Sequence, residues 1–423
     1  MENKLTNNMW DCVVVGGGIT GLTASIILAE AGLSVLLLEK SKKVGGRART
    51  EVKEEAYLNL GPHALYSKGL SLKMLNDLGI HLKGNSPKIN GSLIYNERSY
   101  KLPTDPIQVL RSPLFSSKGK VELLSFYIKL YSQKLIVNPE VTVSDWLQQN
   151  IHEEQVRQFL LMLIRLSTYC DNPNLINVQE AFTQLRLGKP IYLDFGWQTM
   201  VKALTEKAIA LGVFIQTGIS VKQVQGEFPR FFVTLSDNTF VCTKNLLVTG
   251  SPKEAVKIIQ GISTTVSLLD EFIPIHAACM DIVLKSLPNS KINFALSMDE
   301  GLYFSNHSSA ATLSTTEKYS VIHVMKYLRS DFVHEELYKQ EIESFLHRIQ
   351  PGWEEHVVFR RYLPKLTVTH VHPHRKQEIT TDVPGLLLAG DWVGTEGMLA
   401  DRAFSSAKKA ANLIIERCRE VRI

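Results

Sequence analysis

The chain has no pair of cysteines spaced to read as a disulfide staple or a zinc knuckle. Its five cysteines, Cys12, Cys170, Cys242, Cys279 and Cys418, are far apart and odd in number. That argues for reduced thiols and against a disulfide framework. No apolar run approaches the ~20 residues that a spanning helix needs. The stretch from Met1 to Trp10 is polar and has no apolar signal core. No block of Lys and Arg resembles a nucleic-acid arm, and a net charge of +5 is a mild excess for this length. A nucleic-acid partner is therefore not expected. Internal repeats and low-complexity stretches are absent too. These absences leave a cytoplasmic protein, either free in solution or peripheral on the inner face of a membrane.

What is present is enough apolar sequence for more than one core. The 423 residues exceed the roughly 100–200 of a single domain. The start reads β-α-β: Cys12 to Val15 is a short apolar strand, and Ile19, Leu22, Ile26 and Ile27 recur at helical spacing up to Gly32. Ser34 to Leu38 is a second buried strand that ends at Glu39. From about 105 to 190 helical spacing dominates, as in Val121–Leu135 and Val156–Leu166. From Gly196 the alternation returns: a helix Met200–Leu211, a strand Val213–Gln216, a hairpin with arms Phe231–Leu235 and Thr239–Cys242, and a buried strand Asn245–Thr249. Cys279–Leu284 and Ser320–Met325 read as strands. Leu386–Ala389 is a strand and Leu399–Cys418 a long helix. The expected class is α/β: a Rossmann-type nucleotide domain in three pieces (1–85, 190–265, 360–423), with an α+β substrate domain (86–189, 266–359) that carries the helical insertion.

Gly16, Gly18 and Gly21 form GxGxxG between the first strand and helix. The first glycine permits the tight turn, the second admits a pyrophosphate, and the third lets helix and strand pack closely. Free N–H groups and the helix dipole then favour the phosphates. Glu39 ends the next strand about 20 residues on, where an acid takes ribose hydroxyls. The loop alone does not separate FAD from NAD.

Behind Glu39 runs Lys42-Lys43-Val44-Gly45-Gly46-Arg47-Ala48-Arg49-Thr50. Here the chain resembles the flavin amine oxidase superfamily, which includes phytoene desaturases, protoporphyrinogen oxidases and monoamine oxidases. Further matches are Asn59-Leu60-Gly61-Pro62-His63, Gly196-Trp197-Gln198-Thr199 and the late Gly385-Leu386-Leu387-Leu388-Ala389-Gly390-Asp391. The resemblance spans nearly the whole chain in the right order, and is weak from about 265 to 360. It implies non-covalent FAD. Gly16, Gly18, Ile19, Thr20, Gly21, Glu39, Lys40, Gly45, Gly46, Arg47 and Thr249 would line its nucleotide half. Gly61, Pro62 and His63 would run under the flavin ring, and the backbone near Val221 would meet the adenine. Gly390 and Asp391 would meet the pyrophosphate–ribityl region. Gly397, Met398 and Leu399 open the last helix, whose N-terminus would face the pyrimidine end of the flavin.

The implied activity is hydride transfer from a bulky apolar substrate, polyene- or porphyrinogen-like, to flavin N5, with oxygen or a quinone as electron acceptor. Ser406-Ala407-Lys408 resembles the desaturase branch. Amine oxidases of the superfamily carry a lysine where this chain has Ala277-Ala278-Cys279-Met280-Asp281, which lowers the amine reading. A flavin-dependent isomerase without net oxidation stays open as an alternative. So does a prenyl-binding escort protein, against which the intact glycine loop argues. No catalytic residue is assigned; His63 is the candidate, against an ordinary histidine in a turn. His370, His372 and His374 alternate as metal ligands on a strand can, but Pro373 interrupts them and no Cys or acidic partner is near in sequence. No metal is expected. Between Pro106 and Val137, Phe115, Leu123, Leu124, Phe126, Tyr127 and Tyr131 mix with Arg111, Lys118, Lys120, Lys129 and Lys134. Such a segment either lies in a membrane interface or presents a solvated basic face.

Overall fold

The computed structural model describes residues 9–88, 91–132, 135, 138, 140–260, 262, 269, 271–315, 319–329, 334–372 and 378–420. Its first layer is the nucleotide-type sheet. β1 (Met9–Val15), β2 (Val35–Glu39), β10 (Phe214–Thr217), β13 (Phe240–Val248) and β19 (Leu386–Leu388) run parallel, while β11 (Val221–Glu227) and β12 (Arg230–Leu235) continue the sheet antiparallel. In β2 all five residues, VLLLE, are buried. The apolar run Val35–Leu38 suits a parallel strand covered on both faces. The covering helices are α1 (Ile19–Glu30), α8 (Gln198–Ala210) and α11 (Leu399–Glu420), with α9 (Pro252–Ile259) on the β11 side and α2 (Leu70–Asp77) against α11. α1 stops at Ala31, where Gly32 takes φ +79°, a left-handed step that costs glycine least.

The second sheet runs β18 (Val357–Val371), β14 (Ile273–Leu284), β17 (Ser320–Leu328), β16 (Leu302–Asn306), β15 (Phe294–Ser297), β7 (Gly91–Tyr95) and β8 (Arg98–Lys101). Period-two geometry gives β14 two different faces. Ala278, Met280, Ile282 and Leu284 pack with Ile342, Phe345, Leu346 and Ile349 of α10 (Glu335–Ile349). Ala277, Cys279 and Asp281 take the opposite face. The helical insertion is α3 (Pro106–Arg111), α4 (Ser117–Tyr131), α5 (Val143–Asn150), α6 (Glu154–Thr168) and α7 (Val178–Leu185), and its apolar residues join the second sheet in one core. Short ladders of β3 (Thr50–Lys53) with β4 (Ala56–Asn59), and of β9 (Pro190–Leu193) with β5 (Leu65–Tyr66) and β6 (Gly84–Asn85), complete the fold.

Two sequence expectations change. The hairpin arm Thr239–Cys242 and the strand Asn245–Thr249 are one strand, β13: its first part pairs with β12 and its second with β19. β18 crosses the boundary drawn at 360, so residues 360–371 belong to the second sheet. Its residues are mostly half-buried and do not alternate cleanly, which hides a strand from a periodicity reading.

Candidate functional site

The glycines of the β1–α1 turn divide into two kinds. A Cβ on Gly21 would lie 1.9 Å from the Gly16 carbonyl oxygen, and one on Gly16 (φ +112°) 2.6 Å from Thr249 Oγ1. Both are demanded by the packing of turn, helix and the end of β13. A Cβ on Gly18 would meet nothing within 4 Å. Gly18 is the N-cap of α1, and no side chain caps that helix. Ile19 and Thr20 form its first turn. The open space therefore lies where uncapped N–H groups and the dipole favour an anion. Thr249 fixes the turn by donating to the carbonyls of Val15 (2.9 Å) and Gly16 (3.1 Å).

Glu39 is tied to the same turn. Its carboxylate accepts from the N–H of Gly17 and of Ser41, both at 2.7 Å. Lys40 pairs with Glu254, which also completes the capping box of α9 with Ser251. Just before Val221, the N–H groups of Gly218 and Ile219 donate to the carbonyls of Ser41 (2.9 Å) and Glu39 (3.1 Å). The segment named for the adenine thus lies beside the acid named for the ribose.

The Gly-Gly-Arg turn closes over this loop. Gly45 N–H donates to Gly17 O at 2.7 Å. A Cβ on Gly46 would meet only the Gly18 Cα, at 3.5 Å. Arg47 then reaches across the fold. Its guanidinium makes two hydrogen bonds to Asp391, at 2.9 and 2.6 Å, and one to the Val368 carbonyl of β18 at 2.5 Å. Burial works against both charges. The pairing outweighs it, holding Arg47 more firmly protonated than usual and Asp391 below the ordinary carboxylate range. Half of the Arg47 side chain stays accessible, while its Asp391 partner is buried.

The other wall comes from the last segment. Ser406 of α11 donates to the Gly390 carbonyl (2.9 Å) and accepts from its N–H (3.0 Å), fixing the turn that carries Asp391. Gly397 (φ +73°), Met398 and Leu399 (φ +54°) lead into α11. Asp401 in its first turn accepts from the N–H and hydroxyl of Ser71. Arg402 pairs with Glu180 of α7 at 2.7 Å, tying α11 to the helical insertion.

Between the two sheets runs the strap Asn59–His63. Asn59 Oδ1 accepts from Trp197 N–H (3.0 Å) and from the Thr50 hydroxyl (2.7 Å). The Tyr169 hydroxyl donates to the Pro62 carbonyl at 3.0 Å. His63 Nδ1 lies 3.0 Å from Gly61 O, and its ring meets Trp197 edge-on. Burial pushes the His63 imidazole below its ordinary value, so it is neutral at pH 7 with Nδ1 as the donor to Gly61 O.

Sequence reasoning missed what lies behind the strap. Cross-strand register places Arg361 of β18 opposite Asp281 of β14, and His323 of β17 opposite Asp281 on the other side. His323 Nδ1 is 2.6 Å from Asp281 Oδ1; Arg361 donates to Oδ2 at 2.5 and 3.2 Å. Cys279 Sγ is 3.3 Å from Asp281 Oδ1. The atoms of Cys279, Asp281 and His323 converge within 4.8 Å, but Arg361 occupies the second carboxylate oxygen, so the cluster is an ion-paired network rather than a cation cage. The one signal in the sequence was an acid inside the apolar run of β14.

Of the discounted histidines, His372 meets Glu271 at 3.5 Å, an acidic partner that its sequence neighbourhood did not show. His374, Pro373, Lys134 and Val137 lie outside the described residues.

Residues 14–78 match the family model of an NAD(P)-binding Rossmann-like domain. Protoporphyrinogen oxidase 2, chloroplastic/mitochondrial, of Arabidopsis thaliana is 27% identical over 178 residues, 41% of this chain and 35% of that protein. The L-amino-acid oxidase of Sistrurus catenatus edwardsii is 51% identical over 63 residues, 15% of this chain and 12% of that protein. The chain thus spans about a third or less of the length of these curated relatives. Among solved structures, an oxidoreductase from Methanosarcina mazei superposes with TM-score 0.76 at 16% identity, covering 95% of this chain and 99% of that one. Cyclohexylamine oxidase from Brevibacterium oxydans gives TM-score 0.76 at 15% identity, over 97% and 100%. In fold, the chain is that of these solved oxidoreductases and of an NAD(P)-binding Rossmann-like domain at its start.

Proposed function

We propose that the chain binds FAD non-covalently and oxidises a bulky apolar substrate. The observation that carries this reading is the open space at Gly18 beside Gly46, with the half-accessible Arg47 guanidinium following it and paired to Asp391. The donor set suits a dinucleotide: uncapped N–H groups of α1, the Arg47 guanidinium, and the Glu39 carboxylate beside the segment before Val221. Gly16, Ile19, Thr20, Gly21, Lys40, Gly45, Gly46 and Thr249 would hold the nucleotide half. Gly390, Asp391, Gly397, Met398 and Leu399 would hold the ribityl and pyrimidine half.

FAD, when bound, supplies two-electron acceptance from the substrate. The protein orients the reactants, excludes water and balances charge. The N-terminus of α11 offers a positive dipole end to negative charge on the ring. Burial keeps His63 from adding a cation beside the ring, and its Nδ1 proton is committed to Gly61 O. Gly61, Pro62 and His63 form the floor. Oxygen or a quinone would take those electrons up in turn.

Purification tests the first step: the protein should carry FAD or take it up stoichiometrically. A colourless protein that cannot be reconstituted would sink the reading. Anaerobic bleaching of the flavin band should then follow addition of an apolar polyene or a porphyrinogen, with product two hydrogens lighter. Bleaching by amines alone would instead select the amine oxidase alternative, and a product of unchanged mass the isomerase.

The helical insertion supports a peripheral membrane contact. On α4, Val121, Leu124, Ile128 and Tyr131 fall on one face by helical spacing, and Val121, Ile128 and Tyr131 are 62–70% exposed. Lys118, Lys120 and Lys129 flank that face, and Ile107, Leu110 and Arg111 of α3 are exposed nearby. An apolar face between cations suits an anionic lipid surface. Among the described residues no helix is long and apolar enough to cross a membrane.

A further inference from the structure

The second sheet presents a row of polar side chains to the nucleotide unit. Arg361, Asp281, His323 and Ser305 sit directly opposite one another on the adjacent strands β18, β14, β17 and β16. Asp281 and His323 are fully buried, and Ser305 is nearly so. A buried carboxylate is retained where it is paired and hydrogen-bonded, and Asp281 has a further attachment. The Arg361 group that holds Asp281 also donates to the Asn59 carbonyl at 2.7 Å. Asn59 begins the strap that carries Gly61, Pro62 and His63. Two residues on, Gly61 takes φ +81°, and a Cβ there would lie 3.6 Å from Cys279 Sγ and 3.1 Å from Leu366 Cδ1. The strap therefore rests directly on the strand face that bears Asp281.

Among the described residues, the strap's bonds to Thr50, Tyr169 and Trp197 combine no charge with a backbone anchor, as the Arg361 bond does. Trp197 N–H and the Thr50 hydroxyl bind the Asn59 side chain, and the Tyr169 hydroxyl binds Pro62 O. These come from elements on the strap's other sides. From the substrate sheet, Arg361 binds the Asn59 backbone, and Asp281 fixes the guanidinium in place. Arg361 also reaches Glu51 at 3.0 Å on the outer side.

We propose that Asp281 and Arg361 are positioning residues of the cofactor site: Arg361 pins the strap to the substrate sheet through Asn59 O, and the pair sets the charge beneath the flavin. This rests on the FAD reading above. The two residues carry opposite charges, so their electrostatic effects on a bound flavin have opposite signs. Reduced flavin carries negative charge. Removing the Asp281 carboxylate takes away a negative charge and favours reduction; removing the guanidinium takes away a positive charge and disfavours it. The strap effect follows Arg361 alone.

The test uses the full chain in four forms: wild type, D281N, R361M and the double variant D281N/R361M. Flavin midpoint potential and FAD affinity of the stripped protein are measured for each. The potential should rise in D281N and fall in R361M, each by about tenfold in the reduced-to-oxidised equilibrium, about 30 mV for a two-electron couple. In the double variant it should return toward wild type. FAD affinity should fall severalfold in R361M and in the double variant, and less in D281N. Breaking one half of a buried pair can prevent folding, whereas the double variant removes both partners together. If the single variants do not fold, FAD affinity of the double variant decides. Potentials that shift in the same direction, or unchanged potential and affinity in the folded variants, would overturn the assignment. A wild type that takes up no FAD would instead sink the cofactor reading itself.

Discussion

Gly18 and Gly21 lie three residues apart, and their substitution should fail in different ways. At Gly18 a side chain enters open space, so G18V should keep native stability to within about 0.5 kcal/mol and lose FAD affinity. At Gly21 the added Cβ meets backbone that cannot move aside, so G21A should cost about 1–3 kcal/mol and lower the thermal midpoint even without cofactor. Urea unfolding and FAD titration of both variants would check this; a G18V protein that binds FAD normally would remove Gly18 from the site. Acid sensitivity is also a residue-scale matter. Burial alone would raise Asp391 and Asp281, but Arg47 in one case and His323 with Arg361 in the other more than reverse it. A depressed folded-state value stabilises the protein above the free carboxylate value of about 3.9, and that stability disappears as pH falls through the lower folded value. Stability should therefore drop below about pH 4, and D391N should flatten the drop; an equally steep fall in D391N would exclude Asp391 as a contributor. The glycines, Glu39, Arg47 and Asp391 were legible because their spacing to a strand end or helix start is local. Asp281, His323 and Arg361 were not, because only strand register brings together residues up to 80 positions apart.

At the scale of elements, the amphipathic spacing of α4 was readable, but which side faced outward was not. A helix in a helical insertion has neighbours the sequence does not name. The structure buries Leu123, Phe126 and Leu130 and leaves Val121 and Ile128 exposed. A solvated basic face would have put the lysines at the centre of the exposed arc; here they flank it. The protein should therefore float with anionic vesicles and much less with zwitterionic ones. Placing carboxylates on the exposed face, in V121E/I128E, should reduce the bound fraction at least about threefold while leaving the fold intact, since both positions are solvent-facing. Equal flotation of the variant, or none by the wild type, would reject this face as the contact. Strands were legible where burial was continuous, as in β2, and misread where one strand serves two partners. β13 contacts β12 with one end and β19 with the other, and its change of environment midway resembles a break.

At the scale of the molecule, the proposed nucleotide cradle is not the property of one sheet. Arg47 leaves a turn of the first unit, pairs with Asp391 beside α11, and bonds the Val368 carbonyl of β18 in the second sheet. Arg361 of the same strand holds Asn59 of the strap, and Arg402 of α11 holds Glu180 of the helical insertion. These ties join the first and last pieces to the second sheet and to the helical insertion, so the two units are expected to lose structure together and a cofactor held between them should stabilise both. A ligand that binds only the folded state at 100 times its dissociation constant adds about 2.7 kcal/mol. With an unfolding entropy of roughly 2.1 cal/mol/K per residue, that is about 3 °C for a chain of this length. Calorimetry of the stripped protein with and without excess FAD should show one transition that moves upward as a whole. Two transitions, of which only one moves, would mean that the cofactor is held by the first unit alone and that the ties through Arg47 and Arg361 carry no coupling between the sheets.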